Sequence, residues 1–217
     1  MKLLLTASGF TNQSIAQALL DLAGLPTEKI KLVFIPTAAN IEEGDKGWLV
    51  EDLLNFKKQG YGSIDIVDIA SVPKEEWQPL LEMSNVICFG GGSQQYLAKV
   101  LNESGVGESL SELLKTRVYV GISAGSMVAG RFASPEGLKL VYPSEQIPDK
   151  IEQPLGFVDH IFIPHLNSEH FPYARKEKIE SLKKSVKYPI YALDDSSALK
   201  IDGDKVEVIT EGEYLKI

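Results

Sequence analysis

Residues 118–127 read VYVGISAGSM, an apolar run (Val118–Gly121) that leads into a serine between two glycines and then into small residues suited to a helix start. This order of strand, sharp turn and helix is typical of a G-x-S-x-G turn, which pushes a serine hydroxyl out at the top of a sheet. Glycine suits the flanking positions because the backbone must approach closely there without side chains. The segment predicts Ser123 as a nucleophile near a helix N-terminus, where developing negative charge is favoured. A plain strand–helix junction is the alternative.

Outward from this segment, short apolar runs alternate with longer stretches whose apolar residues have helical spacing. The alternation predicts an α/β three-layer sandwich, with a mainly parallel sheet covered by helices on both faces. Ligand sites in such sheets lie beyond the carboxyl ends of the strands. The predicted strands are Lys2–Thr6, Lys31–Ile35, Ser63–Asp68, Asn85–Phe89, Val118–Gly121, Val158–Ile163 and Ile190–Leu193, and the predicted helices are Ser14–Ala23, Leu49–Gln59, Lys74–Met83, Gln94–Asn102, Gly107–Thr116 and Tyr173–Val186.

The pattern changes after Gly130. Residues Phe132–Gln153 are rich in Pro, Glu, Lys and Gly, which predicts a long irregular excursion. At the C-terminal end, glycine turn signals separate three short apolar runs, so we expect an antiparallel meander there. Its predicted strands are Ala198–Ile201, Lys205–Ile209 and Glu213–Ile217.

Composition favours one domain over residues 1–217, since 217 residues suffice for one α/β unit and no linker divides them. The formal net charge of -8 excludes a nucleic-acid backbone or an anionic membrane as the expected partner, because no basic stripe is present. The single cysteine, Cys88, permits no intrachain disulfide and fits a reducing compartment. The N-terminal apolar run is too short for a secretory signal. We therefore expect a cytoplasmic protein, monomeric or homodimeric.

A second glycine segment, GGGS at residues 90–93, also follows an apolar run and precedes a predicted helix. Backbone N–H groups in such a turn can stabilise the oxyanion of acyl transfer. The expected donors are Gly92 and Ala124, the residue after the nucleophile. A phosphate-binding turn or a plain tight loop is the alternative, although the segment lacks the Lys of a P-loop and the Rossmann spacing fails at Gln95.

A serine nucleophile needs a base, and the chain has three histidines, His160, His165 and His170. His165 follows the predicted strand Val158–Ile163, so it lies at a strand's carboxyl end and is the expected base. His160 lies within that strand, and His170 in a loop. Their five-residue spacing does not place the three rings on one face, so no metal site is expected.

An acid usually orients the base. Asp194 and Asp195 end a predicted strand that we expect beside the His165 strand, and either could reach the imidazole. Asp195 is favoured, Glu136 is the other candidate, and a turn or helix cap is the structural alternative for the Asp pair. Cys88 lies inside an apolar run and is interpreted as a core residue.

Three segments together resemble the dipeptidase E family of serine peptidases, to which cyanophycinases are related. They are GISAG at residues 121–125, GGGS at 90–93 and IPH at 163–165, in family order, and the resemblance spans about residues 1 to 200. It implies a flavodoxin-like sheet similar to that of class I glutamine amidotransferases, with serine in place of their cysteine. It also implies Ser123 as nucleophile and His165 as general base.

The resemblance implies the remaining roles as well. Gly92 and Ala124 would form the oxyanion hole, and Asp195 would replace the family's glutamate as the third member. The family's acid has also been placed after the turn, which would point to Glu136.

The expected activity is hydrolysis of short peptides, as a dipeptidase acting on an N-terminal Asp, with no cofactor. Recognition of that Asp carboxylate needs a cation, and Arg131 and Arg175 are the candidates. The excursion Phe132–Gln153 could cover the site and limit peptide length. The alternatives are another serine hydrolase, such as an esterase or a cyanophycin-type peptidase, and a non-catalytic binding protein with an amidotransferase-like fold.

Overall fold

Ten strands and eight helices alternate along the chain, which a computed structural model describes over all residues, 1–217. The strands are β1 (Lys2–Thr6), β2 (Lys31–Ile35), β3 (Ser63–Ile66), β4 (Val86–Phe89), β5 (Val118–Ile122), β6 (Ile161–Ile163), β7 (Ile190–Leu193), β8 (Ser197–Asp202), β9 (Lys205–Thr210) and β10 (Tyr214–Lys216). The helices are α1 (Gln13–Ala23), α2 (Gly47–Gln59), α3 (Lys74–Met83), α4 (Gln94–Glu103), α5 (Val106–Leu113), α6 (Ala124–Ala129), α7 (Pro135–Val141) and α8 (Lys176–Leu182). None of these helices has the length and apolar character that crossing a membrane requires.

Seven strands form the main sheet, in the order β3-β2-β4-β5-β1-β8-β9. The first five in this order are mutually parallel, and β8 and β9 extend the sheet in antiparallel fashion. Strand β5 lies at the centre, where Gly121 is in register with Leu5 of β1 and Phe89 of β4. The predicted mainly parallel α/β fold is therefore confirmed, and the carboxyl ends of β4 and β5 meet at one edge.

Two apolar cores lie on the two faces of the main sheet. The smaller one, of 17 residues, packs α1 and α2 against the sheet and contains Phe56, Leu19 and Cys88. The larger one, of 42 residues, packs the other face against α3 to α6 and a second sheet. Cys88 is fully buried, as expected for a core residue, and desolvation raises the pKa of its thiol.

The second sheet has three strands in the order β10-β7-β6. Strands β6 and β7 are parallel neighbours, whereas β10 runs antiparallel to β7. The predicted C-terminal meander is therefore wrong in its last strand, because β10 leaves β9 and pairs with β7, with Tyr214 opposite Leu193. The crossing is held where the carboxylate of Asp194 accepts the N–H of Glu213 at 2.6 Å, a contact that local turn signals do not encode.

Three other expectations need correction. The excursion Phe132–Gln153 is not wholly irregular, because the Ser134 side chain accepts the N–H of Gly137 and caps helix α7. The expected helix Tyr173–Val186 shortens to α8, which buries Ile179 and Leu182. The expected strand Val158–Ile163 begins only at Ile161, since the preceding residues form a bend.

Candidate active site

Ser123 lies in a strained turn between β5 and α6. Its backbone has φ 48° and ψ -106°, a conformation that residues with a side chain rarely adopt. A Cβ on Gly121 would lie 2.5 Å from the backbone nitrogen of Ser126, and one on Gly125 would lie 2.7 Å from the carbonyl carbon of Phe89. Both distances are too short for any side chain, so the two glycines are what allow α6 to return against β4 and β5 and expose the serine.

The imidazole of His165 lies beside this serine. The distance from Ser123 Oγ to His165 Nε2 is 2.9 Å, which is a hydrogen bond. His165 follows β6 and also has a positive φ, of 64°. The two residues come from different sheets, so their contact depends on how the second sheet packs over the larger core.

A stack of rings holds the His165 imidazole from the other side. Phe171 lies parallel to it, with ring centroids 4.0 Å apart and 5° between the planes. Tyr142 contacts the edge of Phe171, and its hydroxyl donates to the carbonyl of Pro164 at 2.9 Å. Only 7% of His165 is exposed, so the ring has little room to rotate away from Ser123.

Asp195 is the carboxylate that contacts the imidazole. Its Oδ1 lies 2.6 Å from His165 Nδ1. Partial burial raises the pKa of Asp195, but hydrogen bonding with His165, the charge of that ring and the hydroxyls of Ser168 and Ser8 outweigh it. The pKa of Asp195 is therefore lowered, and the carboxylate stays ionised at neutral pH.

The neighbouring Asp194 is engaged elsewhere. Its Oδ1 accepts the N–H of Ser196 at 3.1 Å and the hydroxyl of Ser197 at 2.5 Å, and its Oδ2 accepts the N–H of Glu213. Asp194 thus has the turn-capping arrangement that was the structural alternative for the Asp pair, whereas Asp195 does not.

The other candidate acid and the other histidines do not join this site. Glu136 is exposed in the first turn of α7 and has no hydrogen bond to His165. His160 lies just before β6 with its ring edge-on to Tyr191, and His170 is exposed. No group of His, Cys, Asp and Glu side chains is arranged to hold a metal ion.

The glycine segment 90–93 lies directly beside Ser123. Gly92 has φ 126°, and a Cβ there would lie 2.7 Å from the backbone nitrogen of Ala39, so only glycine fits. The N–H groups of Gly91 and Gly92 have no backbone or side-chain acceptor, whereas Ser93 donates its N–H to Ala38. Ala124 opens α6, so its N–H has no acceptor within the helix. Backbone donors without a protein acceptor therefore lie in the two segments next to the nucleophile, residues 91–92 and the start of α6.

Both arginines considered for substrate recognition are partly engaged within the protein. Arg131 pairs with Asp159 at 2.9 Å. Arg175 donates to the backbone carbonyls of Ser168 and Phe171, at 3.0 and 3.4 Å, and so braces the loop that carries the stacked ring.

Sequence reasoning missed Trp48, Phe171 and Tyr142. Trp48 lies beside Gly91, and the two other rings hold His165. None of them belongs to a recognisable motif. The only signal was the presence of aromatic residues near the predicted site segments, and aromatic residues are more often part of the core.

A mainly parallel sheet flanked by helices, with a serine, an imidazole and a carboxylate hydrogen-bonded in series, defines an α/β protein with the side-chain arrangement of a serine hydrolase. Comparison with known protein families identifies the family to which the chain belongs. Residues 3–209 match peptidase family S51, so the chain belongs to this family and is a peptidase. The resemblance to dipeptidase E found in the sequence is thereby confirmed.

Two solved structures have a similar fold. One is a protein from Listeria monocytogenes EGD-e with a provisional assignment as peptidase E, at 23% identity and a TM-score of 0.75, covering 97% of this chain and 98% of the other. The second is a peptidase from an acI-B1 actinobacterium, at 19% identity and a TM-score of 0.67, covering 100% and 96%. At these identities the likeness concerns the fold alone. No curated protein matches the chain.

Proposed function

We propose that the chain is a serine-type exopeptidase that hydrolyses short peptides through an acyl-enzyme. One observation carries this proposal: Ser123, His165 and Asp195 are hydrogen-bonded in series, at 2.9 and 2.6 Å. A serine hydroxyl is a poor nucleophile unless a base removes its proton, and an acid that orients the base completes the arrangement.

In the proposed reaction, Nε2 of His165 takes the proton from Ser123 Oγ as that oxygen attacks the peptide carbonyl. Asp195 accepts a hydrogen bond from the Nδ1–H of the ring and stays ionised, which sets the tautomer and stabilises the imidazolium. The imidazolium then gives its proton to the leaving amine. The ring then takes a proton from a water molecule that attacks the acyl carbonyl, and it gives this proton to Ser123 Oγ as the acyl group leaves.

The oxyanion formed by the attack needs donors already in position. We assign this role to the N–H groups of Gly92 and Ala124, which the structure leaves without a protein acceptor. Because these donors belong to a rigid turn and a helix start, they need no reorganisation when charge develops. The N-terminus of α6 adds a favourable partial positive charge, although the helix has only 6 residues.

The restriction to short peptides rests on the excursion between α6 and β6. Tyr142 in this segment packs on Phe171 beside the imidazole, and Glu152 donates its N–H to the Gln95 side chain on α4. The excursion thus lies over two elements that flank the proposed site. We propose that it closes the site to long chains, and trimming it should then admit longer peptides.

A preference for an N-terminal Asp is the finest part of the proposal and derives from the family resemblance. It needs a cation, and Arg131 is paired with Asp159, whereas Arg175 has no carboxylate partner but uses Nη1 to hold backbone carbonyls. The experiment below therefore includes dipeptides that begin with Asp, but the proposed reaction does not depend on a preference for them. The cytoplasm is the proposed compartment, since Cys88 is a buried free thiol.

The decisive experiment is a dipeptide-library hydrolysis screen on the wild type and on Ser123→Ala and His165→Ala. The wild type should release both amino acids, and each variant should lose at least about 10³-fold in kcat/KM, because the nucleophile and base act as a unit. A small fluorophosphonate should label Ser123 in the wild type only. Hydrolysis of simple esters without dipeptide cleavage would favour an esterase. Absence of both labelling and hydrolysis in the folded wild type would refute the proposal.

A further inference from the structure

Trp48 is a large aromatic side chain beside the proposed nucleophile that no structural contact explains. It lies in the first turn of α2 and is 38% exposed. It belongs to neither apolar core, pairs with no other aromatic ring, and its indole N–H has no acceptor in the protein. Its neighbour Leu49, in contrast, packs on the smaller core.

The indole lies next to Gly91 of the glycine segment. A Cβ built on Gly91 would lie 3.5 Å from Cζ3 of Trp48 and 3.6 Å from Cβ of Ser123. The indole and the serine therefore face each other across one glycine, and the space between them is about as wide as one methyl group with ordinary contacts on each side. The edge of the indole that faces this space is the apolar benzene edge.

The elements that carry His165 and Trp48 pack on opposite faces of the main sheet. His165 must reach the leaving amine to protonate it, and its loop packs on the larger core through Leu166 and Phe171. Helix α2, which carries Trp48, packs on the smaller core, on the opposite face. In the reaction proposed above, the leaving amine lies on the His165 side of Ser123, which leaves the Trp48 side for the side chain of the acyl residue.

We propose that Trp48 forms an apolar wall for the side chain of the substrate's acyl residue, and that this wall makes the peptidase accept acyl residues with large apolar side chains, such as Leu and Met. This inference rests on the proposed function, because it assumes acyl transfer at Ser123. Burying apolar surface against an indole favours binding in proportion to the area covered. Acyl residues with little apolar surface gain little from the wall.

Two variants change the subsite in opposite ways. Trp48→Ala removes the wall, whereas Gly91→Ala fills the space in front of it with a methyl group that meets only ordinary van der Waals distances. Val50→Ala is the matched control, because Val50 is exposed on the same helix, two residues further on. The measured quantity is the ratio of kcat/KM for Leu-Ala to that for Ala-Ala, which shares the same leaving residue.

In the wild type this ratio should exceed one. Trp48→Ala and Gly91→Ala should each lower it by about tenfold, as expected for loss of contact with a few methylene-sized groups. Val50→Ala should leave it unchanged. An unchanged ratio in Trp48→Ala, or a wild type that cleaves Asp-initiated dipeptides and no Leu-initiated ones, would overturn the inference while leaving the proposed peptidase function intact.

A binding measurement gives a readout that does not depend on turnover. The other tryptophan, Trp77, is 1% exposed, so acrylamide quenching reports mainly on Trp48. Leu-Ala added to Ser123→Ala should protect the fluorescence from acrylamide more than Ala-Ala does at equal saturation. Equal or absent protection by the two dipeptides at saturation would argue against the wall. Failure of both labelling and hydrolysis in the wild type would instead overturn the acyl-transfer premise, and the inference with it.

Discussion

At the scale of single residues, Asp194 and Asp195 show how two identical neighbours acquire different tasks. The side chain of Asp195 reaches the imidazole of His165, whereas that of Asp194 caps the turn into β8 and ties β10 to the end of β7. The sequence favoured Asp195 but could not separate the two, because both follow the same strand. The backbone direction at the strand end decides which carboxylate points to the ring.

Asp195→Asn should reduce kcat by about 10³–10⁴-fold, because the amide cannot stabilise the imidazolium. Asp194→Asn should leave kcat near the wild-type value and change stability instead. It should lower the free energy of unfolding by about 1–3 kcal/mol, since three donors, one of them on the buried Ser197, lose a charged acceptor, while active-site labelling per folded molecule stays near wild type. Steady-state rates and urea unfolding of both variants check this pair. Equal catalytic losses would contradict the division of roles.

Asp52 is a buried acid outside the proposed site, on α2, and 6% exposed. Desolvation, followed by the charge of Glu51, raises its pKa to about 7. Between about pH 4 and pH 7, Asp52 therefore keeps its proton in the folded protein, whereas the unfolded chain has already released it. Stability should fall as pH rises through this window and level off above it.

Asp52→Asn should remove this fall, because the amide has no charge to bury. The shift corresponds to roughly 4 kcal/mol as an upper bound, so the variant should gain stability relative to wild type at pH 8 and not at pH 4. Glu51→Gln, at an exposed neighbour, should keep most of the slope, because desolvation is the larger cause of the raised Asp52 pKa and the charge of Glu51 the smaller one. Urea unfolding from pH 4 to pH 8 measures the free energy of unfolding of each variant. Parallel plots of this free energy against pH for wild type and Asp52→Asn would show that Asp52 is not the source of the fall.

At the scale of elements, the turn between β5 and α6 joins backbone segments that touch. A Cβ on Gly125 would lie 2.9 Å from that of Phe89 and closer still to the Phe89 backbone. Helix α6 therefore sits on β4 and β5 only because the position has no side chain. The sequence pattern G-x-S-x-G predicted this turn because the steric requirement is local.

Gly125→Ala should cost about 3 kcal/mol of unfolding free energy, through overpacking against backbone that cannot move. It should also abolish fluorophosphonate labelling, since the turn that exposes Ser123 is displaced. Gly60→Ala is the matched control, because that glycine ends α2 with φ 72° and open space around it. Its cost should be only about 1–2 kcal/mol, from the positive φ. Equal costs would show that close approach at Gly125 is unimportant.

At the scale of the whole molecule, the second sheet belongs to the same apolar core as one face of the main sheet. Ile161 of β6 and Tyr191 of β7 lie in one cluster with Leu97 of α4 and Tyr119 of β5. The two strands cannot separate from the main sheet without exposing this cluster. The pairing of Ser123 with His165 therefore depends on the integrity of the larger core.

We expect one cooperative unfolding transition for the chain. Leu19→Ala lies in the smaller core and should cost about 2–5 kcal/mol, as for other buried leucines. In a Trp48→Phe background, fluorescence reports on Trp77 in the larger core. In this background, Leu19→Ala should shift the unfolding midpoint followed by Trp77 fluorescence as much as the midpoint followed by far-UV circular dichroism. A shift in circular dichroism alone would reveal two independently unfolding parts.

The amino-acid sequence by itself determined the features that depend on neighbours along the chain. Apolar runs predicted the parallel strands, the glycine spacing predicted the turn at Ser123, and burial of Cys88 followed from its apolar run. Only the tertiary structure decided that β10 pairs with β7, that Asp195 and not Asp194 meets His165, and that Trp48 faces Ser123. Those contacts join segments far apart in sequence, and their partners are selected by how sheets and helices pack, which no local pattern of residues encodes.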